Sequence, residues 1–380
     1  MIDGGILLRI DRWFGWLYHW AGRLDADGVV RPDNPKRILI IKFMGMGSLV
    51  QLANQCDRLG IDKSNLILLT RSSHRSICKL LGFTQAWYVS SLPPLTILHL
   101  INIFYRTRRW RPDLIIDLER CSNAVGLLRT LLARAGHSYS VSFEERRSVQ
   151  LPHQEIHAAK QLTLLDLFSI GLAFIPRSAQ QQNRQRWSAR SNRILINLNA
   201  SPYLLERRLP TQHLDTLLRE LKKIIPQAEF LLTGSDQEKA FVQHVIDMTP
   251  GFRLQNVAGA WTLETLQQEL ATCLLFITGD SGPLHLAVRM GTPAVVVWGP
   301  TQPAHFGYDQ NPRVFSVSQN RPCAPCLTHP HSKPMAVCGG KADCMQHIGI
   351  KAMMSACLAA LQVTSNVSWS PAQPDPAGHQ

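Results

Sequence analysis

Twice along this chain, short runs of aliphatic and β-branched residues break at a glycine-bearing turn and give way to a helical pattern. This alternation restricts the fold more than any other feature. In KRILIIKFMGMGSLVQLANQCDRLG (36–60) a buried strand leads into a glycine-rich turn, and the 3.6-residue period starts after Gly47. NLILLT (65–70), DLIIDL (113–118) and SYSVSF (138–143) continue the series, with helical stretches between them. Such a series predicts an α/β domain on a mostly parallel sheet. It then stops, because SAQQQNRQRWSARSNR (178–193) is polar, basic and without period, as interdomain linkers are. A second series runs through RILINLNA (193–200), PTQHLDTLLRELKKIIP (210–226), EFLLTG (229–234), a helix after Asp236, LLFITG (274–279), PLHLAVRMG (283–291) and PAVVVWG (293–299).

With 380 residues, 45% of them hydrophobic, the chain has material for two cores. The expected division is an N-terminal amphipathic segment (1–35), a first Rossmann-like domain (36–178), a linker (179–192) and a second Rossmann-like domain (193–364) that includes a cysteine-rich loop (321–347). The Pro- and Ser-rich tail (365–380) lacks the apolar content needed to order itself. Doubly wound domains bind ligands at the carboxyl ends of their strands.

TGDSGPLHLAVRMGTP (278–293) lies at such an end, after the apolar run LLFI (274–277). Asp280 or Ser281 can accept from the unpaired amides of the new helix, and Pro283 suits its first turn. Those amides and the positive dipole end also favour a phosphate, with Gly279 and Gly282 allowing close approach. Capping alone leaves His285 and the second small-residue turn WGPTQPAHFG (298–307) without a reason, so the corner reads as an anion site rather than an ordinary α/β corner.

The stretch TGDSGPLHLAVRMGTPAVVVWGPTQPAHFG resembles the signature of glycosyltransferase family 9, the bacterial heptosyltransferase family. There D-[ST]-G-x-x-H-x-A-x-x-x-G-[TV]-P precedes a strand and G-[PS]-T. KFMGMGS, DLIIDLE, NASPYLLERRLP and LLTGSDQEKA extend the resemblance from about residue 36 to 350. It implies a GT-B fold of two Rossmann-like domains, an activated sugar nucleotide held mainly by the C-terminal one, an acceptor held mainly by the N-terminal one, and inverting transfer without a catalytic metal. By position, Asp280, Ser281, Gly282 and His285 match the donor-binding motif, with the diphosphate over the 281–285 helix start. Arg207 in RRLP stands where the family carries a basic residue facing the leaving diphosphate, and a guanidinium can hold phosphate oxygens two at a time. Arg208 is either a second donor contact or a solvated charge. Gly234 and Ser235 match a turn near the nucleoside, and Asp236 or Glu238 is the candidate ribose contact.

One departure bears on chemistry. Many family members read M-G-D in the first strand–helix turn, where that aspartate is the expected general base, whereas this chain reads Met46-Gly47-Ser48. Serine is too weakly basic to take an acceptor proton alone. The replacement lies in DLIIDLERCSNAVGLLR (113–129), where alternation along a strand end points Asp117 and Glu119 to one side. A branch of the family with F-W-G-x-G-S and D-x-E resembles this pattern. Glu119 is taken as base and Asp117 as its orienting partner or competitor, with Gly45, Gly47 and Ser48 shaping the floor beneath the sugar. The other reading has Asp117 capping the next helix and Glu119 on the solvated surface. Asp113 reads as a strand-start residue.

CAPCLTHPHSKPMAVCGGKADC (323–344) places Cys323, Cys326, Cys338 and Cys344 within one Gly/Pro-rich loop. Four thiolates there can close a tetrahedral structural site for zinc or iron, with His329, His331 and His347 as substitutes. Disulfides are the rival, disfavoured by the lack of a signal-peptide layout. Related family members carry a similar quartet. The other five of the nine cysteines sit in apolar contexts as ordinary buried thiols.

ILLRIDRWFGWLYHWAGRL (6–24) mixes aromatic and cationic residues as helices in a membrane interface do, or as a helix packed on the protein's own core can. The formal charge of +13 favours anionic partners, and no nucleic-acid motif accompanies it. No run is long enough to span a bilayer, so the expected location is cytoplasmic, peripheral on the inner membrane. The expected activity is therefore inverting transfer of a sugar from a nucleotide-diphosphate donor, with ADP-heptose implied by the family. The acceptor is a lipopolysaccharide core, another lipid-linked glycan or a protein. The rival, prompted by Ser48, is a non-catalytic sugar-nucleotide or glycan-binding protein.

Overall fold

The computed structural model describes residues 36–365 apart from 44, 60, 91, 120–122, 137–138, 143–190, 201–203, 307, 310, 320 and 327–340. The segment 6–24, most of the linker, Cys338 and the tail after 365 lie outside the described residues. The chain forms two compact units that divide between Arg184 and Gln185, with Thr301–Tyr308 and Pro325–Gly340 grouped with the first.

In the first unit the elements run β1 (Ile38–Ile41), α1 (Met46–Leu59), β2 (Leu66–Arg71), α2 (Arg75–Leu80), β3 (Ala86–Val89), α3 (Pro93–Trp110), β4 (Leu114–Asp117), α4 (Asn123–Gly136) and β5 (Tyr139–Ser142). The sheet is parallel throughout, in the order β3-β2-β1-β4-β5. β1 and β4 are buried at every position because helices cover both faces, hence their unbroken aliphatic runs. Leu39, Ile41, Ile67, Leu69 and Ile115 form one core with Ile103 of α3 and Leu132 of α4.

The second unit repeats the scheme. Its elements are β6 (Arg193–Asn197), α5 (Leu214–Ile224), β7 (Glu229–Thr233), α6 (Lys239–Asp247), β8 (Leu254–Asn256), α7 (Leu263–Thr272), β9 (Leu275–Gly279), α8 (Gly282–Met290), β10 (Ala294–Trp298), β11 (Val314–Ser318), α9 (Asp343–Gln346) and α10 (Ile350–Ser365). The sheet order is β11-β10-β9-β6-β7-β8, again parallel. On α5, Leu214, Leu217, Leu218 and Leu221 recur at helical spacing and are buried against β6 and β7. Burial of each side chain stabilises by roughly 2 kcal/mol. α10 closes the other end of the core through Met353, Cys357 and Ala360.

In each sheet the first strand sits centrally, with the second strand on one side and the fourth on the other, so the connections leave it in opposite directions. Ligand crevices of doubly wound sheets open at that reversal, beyond the carboxyl strand ends. The reversal falls between β1 and β4 in one unit and between β6 and β9 in the other. Register therefore selects two sets of residues: those after Ile41 and Asp117, which lie abreast, and those after Asn197 and Thr278, which also lie abreast.

Candidate functional site

At the β6–β9 reversal the corner is an anchored turn. The Asn197 amide donates to Thr278 Oγ1 and to the Asn199 carbonyl, both at 3.2 Å, joining the two strand ends. Ser281 is the N-cap residue of α8 in extended conformation, yet its side chain makes no capping bond; its Oγ is paired with Thr278 Oγ1 at 2.9 Å. Asp280 accepts instead from Arg207 Nη1 at 2.8 Å. The expectation that Asp280 or Ser281 caps the helix is thus overturned: both side chains are engaged elsewhere, and the first turn, which holds Gly282 and Pro283, has no side-chain cap from its N-cap residue. A helix start left in this state favours an anion.

The Arg207–Asp280 pair is deeply placed, its side chains 15% and 2% exposed. Two of its atoms, Arg207 Nε and Asp280 Oδ1, are buried without a hydrogen-bond partner among the described residues, as is Asn199 Oδ1 nearby in sequence. A buried ion pair gains little net stability unless its remaining donors and acceptors are satisfied, so an incompletely bonded one is costly. His285 is buried beside it. Burial holds the imidazole down to about pKa 4, reinforced by Arg207 and opposed by Asp280, so it is neutral at pH 7.

Gly279 has a different reason than sequence suggested. A Cβ there would lie 2.6 Å from the Arg207 carbonyl oxygen, so the space belongs to the turn Leu205–Arg207 rather than to a ligand. Gly279→Ala is expected to displace Arg207, lowering stability by about 1–3 kcal/mol and weakening nucleotide binding. Thermal melts and calorimetry on that variant check this. Gly234 is similar: its Cβ would meet Asn199 Nδ2 at 2.8 Å. Ser235 donates from both its amide and its hydroxyl to Glu238 Oε2, a closed capping box, so Glu238 is occupied and Asp236 remains as the acidic candidate. Arg208 diverges from Arg207 and stacks over the Phe241 ring at 4.1 Å, neither a solvated charge nor part of the ion pair.

At the β1–β4 reversal, the register sets Lys42 next to the chain leaving β4. Lys42 Nζ donates to Glu119 Oε1 at 2.9 Å and the Phe43 amide donates to the same oxygen at 2.6 Å. The Glu119 amide in turn donates to Asp117 Oδ1 at 2.8 Å. Lys42, Asp117, Glu119 and Arg129 are all buried. Glu119 is therefore not on the solvated surface, and Asp117 turns back onto Glu119. Burial pushes the Asp117 carboxyl up to about 7, with Glu119 adding to the shift while its amide, Arg129 and Lys42 oppose it. His74, bonded through Nδ1 to Thr70 Oγ1 at 2.9 Å, is held below its usual value by burial, Arg71 and Lys42 against the pull of Glu119.

Sequence reading missed Lys42, His74 and Arg129. Only Lys42 carried a signal, a cation directly after a wholly apolar strand. Gly47 and Ser48 fall inside the first turn of α1, not in a loop, and Gly45 supplies the left-handed residue before it with φ of 80°. Asp113 binds the Lys36 and Arg37 amides and the Arg37 guanidinium, as a strand-start residue does.

Of the cysteine quartet, Cys323 and Cys326 are half-buried, and Cys344 is buried against Gly299, where a Cβ would meet its Sγ at 3.1 Å. Among the described residues no three His, Cys, Asp or Glu side chains are grouped to hold a metal ion, and Cys338 lies outside them. No described helix is long and apolar enough to cross a membrane.

The sequence model of glycosyltransferase family 9 (heptosyltransferase) matches residues 132–336, more than half of the chain. The chain belongs to this family. Lipooligosaccharide heptosyltransferase 2 of Campylobacter jejuni is 36% identical over 75 residues, which are 20% of this chain and 24% of that protein; the match thus spans about a quarter of the relative. Among solved structures, the glycosyl transferase family 9 protein of Veillonella parvula superposes with a TM-score of 0.60 at 15% identity, covering 87% of this chain and 98% of that one. ADP-heptose lps heptosyltransferase II of E. coli does so with a TM-score of 0.59 at 14% identity, covering 87% and 99%. At such identities the likeness shows the fold: this family 9 chain has the GT-B architecture of two Rossmann-like domains, and both strand-order reversals fall where its motifs lie.

Proposed function

We propose that this family 9 chain is an inverting glycosyltransferase that moves a heptose from ADP-heptose to a sugar hydroxyl of a lipopolysaccharide-type acceptor. The observation that carries the reading is the buried Arg207–Asp280 pair beside an uncapped helix start, with one hydrogen-bonding atom of each partner unused. A diphosphate supplies negative charge for the first-turn amides of α8, with the partly exposed Arg207 guanidinium beside them.

In this reading Asp117 takes the proton of the acceptor hydroxyl as its oxygen attacks the anomeric carbon from the face opposite the diphosphate. The bond from that carbon to the diphosphate oxygen breaks, and Arg207 with the α8 start stabilises the departing charge. The geometry favours Asp117 over Glu119 as base, because Glu119 Oε1 is held by Lys42 and the Phe43 amide. A carboxylate titrating near 7 is also matched to base catalysis at neutral pH.

The test is thermal melting of the full chain with ADP, UDP and GDP, followed by ADP release from ADP-heptose with lipopolysaccharide-core acceptors. ADP at about a hundred times its dissociation constant is expected to stabilise the fold by about 2.7 kcal/mol, more than UDP or GDP at equal concentration. No shift with any nucleotide refutes the reading. A shift without turnover on any acceptor supports the non-catalytic alternative.

A further inference from the structure

α3 is apolar on two faces. Leu100, Ile103, Phe104 and Trp110 pack into the core of the first unit, and Thr107 is buried among them. On the opposite side Ile97, Leu98, Ile101 and Tyr105 stand 61%, 60%, 50% and 65% exposed, preceded by Leu92 at 62%. Ile97 to Tyr105 spans about 12 Å of helix, so these side chains form one continuous stripe. The inner face already accounts for folding of the helix, and the stripe serves nothing within the described residues.

Charge identifies what the stripe faces. Arg106, Arg108, Arg109 and Arg111 follow it directly, all exposed, and none forms an ion pair with a described carboxylate. Residues 63–112 contain eight lysines and arginines and no aspartate or glutamate. Arg106 lies over the Trp87 ring at 4.6 Å, which fixes one end of the cluster to the unit. We infer that the outer face of α3 docks on an anionic lipid bilayer, its stripe entering the headgroup–acyl boundary and its arginines bonding lipid phosphates. A helix of this kind lies in the interface plane, where apolar burial and attraction to anionic headgroups add. A second copy of this chain applied to the same face would set arginines against arginines. The segment 6–24 is itself basic, with Arg9, Arg12 and Arg23 against one aspartate, and so offers the cluster no net counter-charge.

The experiment is co-sedimentation of the full chain with vesicles, without donor or acceptor, so that it stands or falls apart from the transfer reading. Phosphatidylglycerol-containing vesicles are expected to bind it and phosphatidylcholine vesicles to bind it far less. Arg108→Gln with Arg109→Gln is expected to weaken binding ~20–30-fold. Ile97→Asp with Ile101→Asp is expected to reduce binding to the phosphatidylcholine level. All four positions are exposed, so melting midpoints should not move. Wild-type levels of binding in both variants overturn the inference, as does absence of wild-type binding to phosphatidylglycerol. Loss of binding only in Trp13→Ser with Trp16→Ser assigns docking to 6–24 and overturns it as well. Concentration-dependent self-association that the α3 variants abolish makes the face an interface between copies and also overturns it.

Discussion

Asp117→Asn is expected to cripple sugar transfer while making the protein more stable at pH 8. Burial holds the Asp117 carboxyl near 7 against an unfolded value near 3.8. Between those values the folded chain binds a proton that the unfolded chain does not. The contribution of Asp117 to stability is therefore fully present below pH 3.8, is lost as pH rises towards 7 and is level above it. The span corresponds to roughly 4 kcal/mol at most. An asparagine keeps the oxygen that accepts from the Glu119 amide and removes the buried charge, so a gain of about 1–3 kcal/mol is expected at pH 8, disappearing near pH 4. Turnover should drop about 10²–10⁴-fold, and wild-type kcat/KM should fall as pH drops through 7. Glu119→Gln gives the contrast. It deprives buried Lys42 of its counter-charge and should destabilise by about 3–5 kcal/mol. Melts at pH 8 and pH 4 with initial rates decide the matter: an Asp117→Asn protein that is less stable at pH 8, or that turns over at the wild-type rate, removes Asp117 as base.

The contrast also marks where sequence stops being informative. Strands buried on both faces announce themselves, and ILII, ILIN and AVVVW were all legible as unbroken apolar runs. β3, β8 and β11 were not, because AWYV, LQN and VFSVS lie at or beside sheet edges and are only partly buried, leaving no run to read. At the site, local pattern placed Asp280, Ser281 and His285 at a strand-to-helix corner and Asp117 and Glu119 at a strand end. It could not say which partner each would take. Lys42 meets Glu119, and the Arg207 carbonyl fills the space that Gly279 leaves, only because parallel register brings distant strand ends abreast. Role assignments made from spacing alone, such as capping by Asp280 or ligand approach at Gly279, failed for that reason.

Replacing the Arg207–Asp280 pair as a whole should separate stability from binding. Arg207→Met leaves Asp280 buried and uncompensated, so a loss of about 3–5 kcal/mol is expected together with loss of ADP binding. A folding defect alone would produce both results. The double variant Arg207→Met with Asp280→Leu replaces the pair by apolar groups of similar size, and buried pairs exchanged in this way are often neutral or better in stability. It is expected to melt close to the wild type, within about 1 kcal/mol, yet to bind ADP at least ~100-fold more weakly and to show kcat/KM reduced ~10³-fold or more, since the group opposing the leaving charge is gone. Asp280→Asn should fall between, because Arg207 keeps its charge and loses only its holder. Calorimetric titration of ADP into the double variant provides the decision. Wild-type affinity there would mean that the pair braces the turn Leu205–Arg207 against Gly279 and that the nucleotide is held elsewhere.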